Sequence, residues 1–480
     1  MTETSLTKKL SLFDVTNLVV GAIIGADIYV ASSFGAGYLG PFSLVVWILA
    51  GLIAIVIALC FAQCAALIPK VGGPYAYAKE AWGPFAGFTV GWALWFAEWI
   101  SLAVFPLAFT RYLMFFFPNM DFATQILVKG AFVAFLAVTN IIGVKAAGKI
   151  NDLLTIAKLA PLIFFTVAGL SWIVLNPAST SANFSPFSPF GFSNFGTALV
   201  LIFWAYAGFE ISTIPSEEIV EPRKTIPRAI IIGITIVTVF YLATNAVLFG
   251  VRNWNMLATD TAPLATATNS ILSSTGILAL LGGAFVGVGA LISVAGSDES
   301  GMIGTSRLGY ALAADGLFPT VFAKIHKKFK TPYVSIAIQS VTALVASVIG
   351  NLGLLISVSV FFLAFAYLAT SASIFTFHKR GLTPHPHSKS HLIIPALGIA
   401  FSVYLISQCT PFQIIVGVLL LLIGVPIYIK YSPKKELAEA KNALLSRQTA
   451  LNKIYHQQQV FLAHLILHIK EALRTAKRKH

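Results

Sequence analysis

Residues 17–30 read NLVVGAIIGADIYV, and the way this stretch crosses an apolar environment decides the fold. It lies inside an apolar run from roughly residue 13 to 37, long enough to cross a bilayer, which takes ~20 apolar residues. Yet it holds Gly21, Gly25 and Asp27 near its centre. Gly21-x3-Gly25 alone would read as a helix-packing motif. The competing expectation, strengthened by a matching glycine at position 208, is a helix that unwinds near Gly25–Asp27. Backbone N–H groups of Ala26, Asp27 and Ile28 would then open a second half-helix, where free donors and the positive dipole end suit a carboxylate. The first half-helix would end in carbonyls at Ile23 and Ile24, which suit an ammonium. Backbone alone would match a zwitterion.

Outward from this stretch the whole chain has the same character. Of 480 residues 57% are hydrophobic and only 10% charged, where soluble proteins carry about 25% charge. Apolar runs recur at roughly 42–68, 84–110, 124–142, 152–175, 194–216, 228–249, 273–298, 332–350, 353–377, 391–409 and 411–430, giving about twelve spans. Backbone groups have no water partner in the bilayer, so spanning helices are expected. No alternating ten-residue pattern of a membrane barrel is visible. The chain reads as an all-α membrane protein: residues 1–12 a cytoplasmic N-terminus, 13–430 one membrane domain and 431–480 a basic tail.

A net charge of +14 could suggest nucleic acid, but its placement excludes that. With the N-terminus inside, the outer loops hold only Arg111, Lys129 and Arg252, and Lys158 falls within a span. All other Lys and Arg lie on the cytoplasmic side or its rim. This positive-inside bias puts both termini in the cytoplasm of a multi-pass cell-membrane protein, with anionic lipid as the partner of the basic surface. The tail segment Val460–Leu473 has helical apolar spacing and reads as an amphipathic helix on lipid, or alternatively as a partner-docking helix. Its pair His464 and His468 reads as surface, not metal. Three cysteines cannot frame a disulfide fold, and Cys60 and Cys64 read as packing residues. The first span lacks a cleavage site and reads as uncleaved. Residues 176–193, uncharged and rich in Ser, Pro and Phe, read as an outer loop on the membrane surface.

A second break is expected in FWAYAGFE (203–210), where Gly208 interrupts the sixth run. Five spans separate Gly25 from Gly208, an odd number, so the halves would enter the membrane in opposite directions. Inverted repeats with matching broken helices point to a substrate site at the midplane. Trp204, Ala205, Tyr206, Ala207 and Gly208 join the first break as candidate binding residues, with Trp204 and Tyr206 as covers or as packing aromatics.

These residues carry a resemblance. GAIIGADIYV, FWAYAGFEIST…EEIVEPRKTIPRAI (203–230) and GTSRLGYALAADGLFPTVFAKIHKKFKTP (304–332) resemble the amino acid–polyamine–organocation superfamily of LeuT-like transporters, from about residue 8 to 430. The resemblance implies ten core helices in two inverted five-helix repeats plus two more, and substrate held between spans one and six. It further implies that Trp204 covers the substrate and that Glu210 is a gating acid. No cofactor is expected.

Lys158, within NDLLTIAKLAPLIFF, is ~10 Å along a helix from Asn151 at the inner rim. A lysine at that depth costs ~2.5–3.5 kcal/mol on insertion scales and is functional by default; the bland alternative is that it snorkels to the rim. The resemblance implies an ammonium standing in for a sodium ion between spans one, five and eight. Asp27 departs from the family's small residue. It could pair with a substrate ammonium, take part in proton coupling, or cap the second half-helix. Asp298 and Glu299 depart too, and read as solvated rim residues or, more sharply, as a charge network reaching Lys158. The resulting expectation is a proton-coupled amino acid importer, with a polyamine or cationic amino acid carrier as the alternative. An enzyme is not expected, because the membrane portion holds no HExxH, GxSxG or Cys/His cluster. A channel or receptor on this fold is the remaining competitor, separable by flux into liposomes.

Overall fold

A computed structural model describes residues 10–69, 72–142, 147–210, 219–383 and 392–432. The expected tail helix at Val460–Leu473 lies outside these residues. The described chain is a bundle of helices: α1 (Leu12–Ile23), α2 (Asp27–Leu39), α3 (Ser43–Leu67), α4 (Pro74–Trp82), α5 (Pro84–Leu113), α6 (Phe122–Ile142), α7 (Ala147–Leu175), α8 (Pro177–Asn183) and α9 (Phe195–Phe203). After the second break come α10 (Pro222–Val251), α11 (Trp254–Thr259), α12 (Pro263–Ile271), α13 (Ile277–Ala314), α14 (Tyr333–Ile349), α15 (Leu352–Lys379), α16 (Ile393–Gln408) and α17 (Pro411–Tyr431).

Eight helical stretches are long and apolar enough to cross a membrane, and one of them, Asp27–Leu67, contains both α2 and α3 around the turn at Gly40–Phe42. With the shorter apolar helices α9, α14 and α16, the described residues make about twelve crossings. α1 and α2 share the first crossing, whereas α4, α8, α11 and α12 are short connecting helices. The architecture is the LeuT-like one, two inverted five-helix repeats followed by α16 and α17. Repeat-related helices meet: α3 packs on α10 and α5 on α13.

Local chemistry sets many boundaries. Ser11 and Asp14 form a reciprocal capping box at α1, as Thr410 and Gln413 do at α17. Proline occupies the first turn of α4, α5, α8, α10, α12 and α17, where its missing N–H costs nothing. Large apolar side chains such as Phe135, Val167, Leu175, Val239, Leu280 and Ile349 point outward at more than half exposure. Spread over so many helices, that surface is a lipid-facing belt. Inside, buried hydroxyls bond back to their own helix, as Thr166 does to Leu162 and Thr268 to Leu264.

Two placements correct the sequence reading. Lys129 is not in a loop: α6 begins at Phe122, and the buried ammonium donates to the Ser347 carbonyl at 3.1 Å. Ser347 is in the last turn of α14, where unpaired carbonyls and the negative dipole end attract a cation. The eighth span runs on to Ala314, well past residue 298, so Asp298 is in mid-helix and not at a solvated rim. It is 1% exposed, and neither carboxylate oxygen has a hydrogen-bond partner among the described residues. Tiny residues inside the spans hid the helix end, since Gly296, Gly301 and Gly304 thin the apolar signal without ending the helix.

Candidate transport site

The first span breaks where expected. α1 stops at Ile23, Ile24 turns to extended backbone, and α2 starts at Asp27. Gly25 serves this break by its size. It has no left-handed φ, but an added Cβ would stand 2.6 Å from the Ser297 hydroxyl oxygen on α13. Ser293, one turn earlier on α13, donates to the Gly25 carbonyl at 3.3 Å. The second break does use glycine's conformational freedom. After the 3-10 turn Trp204–Tyr206, Gly208 sits at φ +115°, and its missing Cβ lets it approach the Ala22 carbonyl, 2.8 Å from where that Cβ would be. The two breaks therefore touch.

A cavity opens at this contact. It is lined by Asn17, Leu18, Gly21 and Ala22 of α1, by Asp27, Glu98 and Ser101, by Trp204, Ala207, Gly208 and Glu210, and by Ser297, Ser300 and Gly301 of α13. Its α1 wall comes from the half of span one that precedes the break, and its α13 wall lies just past the middle of that helix, toward its C-terminal end. On the far side α2 is buried almost along its length.

Among the expected residues, Asp27, Trp204, Ala207, Gly208 and Glu210 come together on this cavity. Ile23, Ile24, Gly25, Ala26, Ile28, Ala205 and Tyr206 are not in its lining. Tyr206 is turned away: its ring packs against Trp47 and Tyr241, and its hydroxyl donates to the Trp47 carbonyl at 2.9 Å. The Ile23 carbonyl, expected to be open, accepts from the Tyr241 hydroxyl at 3.1 Å. Trp204 faces the cavity, held by a 3.3 Å hydrogen bond from its indole N–H to Ser101 Oγ. Ser101 is in turn 3.0 Å from the Ser359 hydroxyl.

Glu210 folds back on its own break. Its Oε2 accepts from the Gly208 N–H at 3.0 Å and from the Tyr367 hydroxyl at 3.1 Å. Glu98, on α5, lines the same cavity within the field of Glu210. Sequence reasoning passed over Glu98, although an acid in the apolar run WALWFAEWISLAVF (92–105) is by itself a pointer to function. Asp27 is the first residue of α2, while Ala26 holds the cap position without a side-chain bond. The Asp27 carboxylate turns to its own backbone and lies in the field of Lys158. An acid in the first turn also complements the helix dipole.

Lys158 is buried, 5% exposed, and does not snorkel. Its ammonium leaves α7 and donates to the Gly21 carbonyl at 2.6 Å. Gly21 lies in the last turn of α1, where carbonyls lack intrahelical partners and the dipole is negative. One turn along α7 from Lys158, Pro161 packs against Gly289 of α13. No group of three or more metal-ligating side chains occurs among the described residues. Cys60, Cys64 and Cys409 are buried free thiols.

Comparison with known proteins agrees with this architecture. The sequence profile of the amino acid permease family matches residues 10–432. The chain is 28% identical to the branched-chain amino acid permease of Bacillus subtilis (strain 168) over 452 residues, covering 90% of this chain and 94% of that protein. It is 28% identical to the serine/threonine exchanger of the same organism, covering 91% and 99%. Likeness to the human large neutral amino acids transporter small subunit 2 is 29%, covering 88% and 80%. With two broken helices meeting at a central cavity, and a profile match from the first helix to the last described one, the chain belongs to the amino acid permease family of the amino acid–polyamine–organocation superfamily.

Proposed function

We propose that this protein imports an amino acid across the cytoplasmic membrane, driven by protons through Lys158. Amino acid transport rests on the family and on the paired breaks. The proton is the finer step, and one observation carries it: the buried Lys158 ammonium bonded to Gly21 at the end of α1. Both termini are read as cytoplasmic, from the distribution of Lys and Arg, so the cavity opens inward. Basic residues on that face would meet anionic lipid.

In this reading the amino acid lies between the breaks, with its carboxylate at the start of α2 and its side chain against Trp204. Protonated Lys158 ties α7 to the end of α1. When the proton leaves toward the cytoplasm, the neutral amine loses its charge attraction to that helix end and α1 is free to shift. Coupling requires the two states to bind the proton with different affinity, because equal affinity shifts no equilibrium. Asp27, in the same field, is the second group that senses the change. Neutral amino acids are the favoured substrates, following the relatives named above.

The test is uptake of a panel of radiolabelled neutral and cationic amino acids and polyamines into proteoliposomes, with an imposed pH gradient and no sodium. Accumulation of neutral amino acids with the outside acidic is expected. Accumulation of polyamines alone, or a strict need for sodium, would overturn the reading.

A further inference from the structure

The far side of the bundle, opposite the open cavity, is closed by α11 and α12 lying against α2. One residue between them, Asp260, gathers partners from four other elements. Its backbone carbonyl accepts from Ser33 Oγ of α2 at 3.2 Å and from the Arg111 guanidinium of α5 at 3.3 Å. Its carboxylate faces the Arg252 guanidinium at the end of α10 at 3.9 Å and accepts from Thr266 Oγ1 of α12. Its other oxygen accepts the Ala262 N–H at 2.9 Å, which fixes the turn from α11 into α12. The Asp260 and Arg252 side chains are only 8% and 16% exposed, so solvent screens this pair less than a surface one. Beside the hub, the Tyr112 hydroxyl of α5 donates to the Tyr29 carbonyl of α2 at 3.1 Å.

We infer that Asp260 is the latch of the far gate, the residue that holds α2, α5 and the α11–α12 lid together while the cavity is open to the N-terminal side. The geometry leaves little choice of part. For the cavity to open on the far side, α2 must separate from α5 or the lid must lift from α2. Both movements break bonds to Asp260, and none of the polar partners named above lines the cavity. Its role is therefore to position the gate, and its loss shifts the balance of conformations. The far side is the outer one only if the proposed orientation holds, and the experiment below separates the two claims.

The latch is loosened with Arg111→Met and Arg252→Met, singly and together, which leave the Asp260 turn intact. Asp260→Asn provides a second route, because it removes the charge and keeps the turn acceptor. A reporter cysteine replaces buried Ser32 on α2. Membrane-impermeant maleimide is then applied to intact cells and to inverted vesicles. Losing one hydrogen bond to a charged group shifts such an equilibrium roughly tenfold, so labelling of Ser32→Cys should rise about tenfold from the outside. A second pair, Gly37→Cys with Ala258→Cys, should restore the gate. The Cβ built on Gly37 is 3.6 Å from the Ala258 Cβ, inside the ~3.5–4.5 Å range of disulfides. Oxidation should abolish both the extra labelling and net uptake, and reductant should restore both. Unchanged labelling from either face in all four variants overturns the latch. A rise from the inner face alone keeps the latch and overturns the orientation.

Discussion

Gly208→Val and the milder Gly208→Ala test the contact between the breaks. Two costs add at this position. At φ +115° any side chain is strained, about 1–3 kcal/mol for such backbone. The new Cβ also stands 2.8 Å from the Ala22 oxygen and 3.0 Å from its carbonyl carbon, both backbone atoms that cannot swing away. Overpacking of that kind costs about 1–3 kcal/mol. The sum, roughly 2–6 kcal/mol, falls on the conformation in which spans one and six meet, since each 1.4 kcal/mol is tenfold. Substrate binding should therefore drop by at least about 30-fold for Ala and further for Val. The assay is initial uptake in proteoliposomes with matched protein content, plus substrate binding to detergent-solubilised protein, to separate lost transport from lost insertion. Gly208→Ala that inserts normally and transports at half the wild-type rate or better would refute the argument that the breaks must touch.

Three other outcomes follow from the same geometry. Trp204→Ala, which removes a cavity wall and the bond to Ser101, should raise KM about tenfold or more, and unchanged kinetics would move the substrate elsewhere. Asp27→Asn keeps a polar side chain at the first turn of α2, so substrate binding in the absence of a gradient should survive while pH-driven accumulation falls. Selective loss of cationic substrates would instead favour direct pairing with a substrate ammonium. Cysteines placed in loop 176–193 should react with impermeant reagent from outside and one replacing Lys328 should not; the reverse pattern would invert the orientation read from Lys and Arg.

Much of this was legible in the sequence because the bilayer leaves few options. Spans follow from apolar length, and the break at Gly208 follows from its pairing with Gly25 five spans earlier. What was missed depended on rotation about helix axes, which apolar periodicity does not report when every face is apolar. Tyr206 and Trp204 are two residues apart, yet only Trp204 turns to the cavity. The Ile23 carbonyl lost its vacancy to Tyr241, 218 residues away, a partner that no local reading predicts. Asp298 shows the converse, a charge whose burial stayed hidden because glycines masked the length of α13. Glu98 was readable, an acid in mid-span, but its meaning came from sharing a cavity wall with Glu210.

Whether the proton acts through Lys158 is decided most directly by Lys158→Ala. The substitution removes the 2.6 Å bond to Gly21, a residue of the cavity wall, while Lys158 itself is not part of the lining. Wild-type and variant protein would be reconstituted with labelled amino acid outside, the outside made acidic, and sodium either absent or supplied as an inward gradient. Wild-type accumulation should grow with the acid gradient and ignore sodium. Lys158→Ala should bind substrate and exchange it across the membrane at equilibrium, but fail to concentrate it at any pH gradient. A Lys158→Ala protein that still concentrates substrate when the outside is acidic, or a wild type whose accumulation follows sodium, would contradict coupling through this lysine.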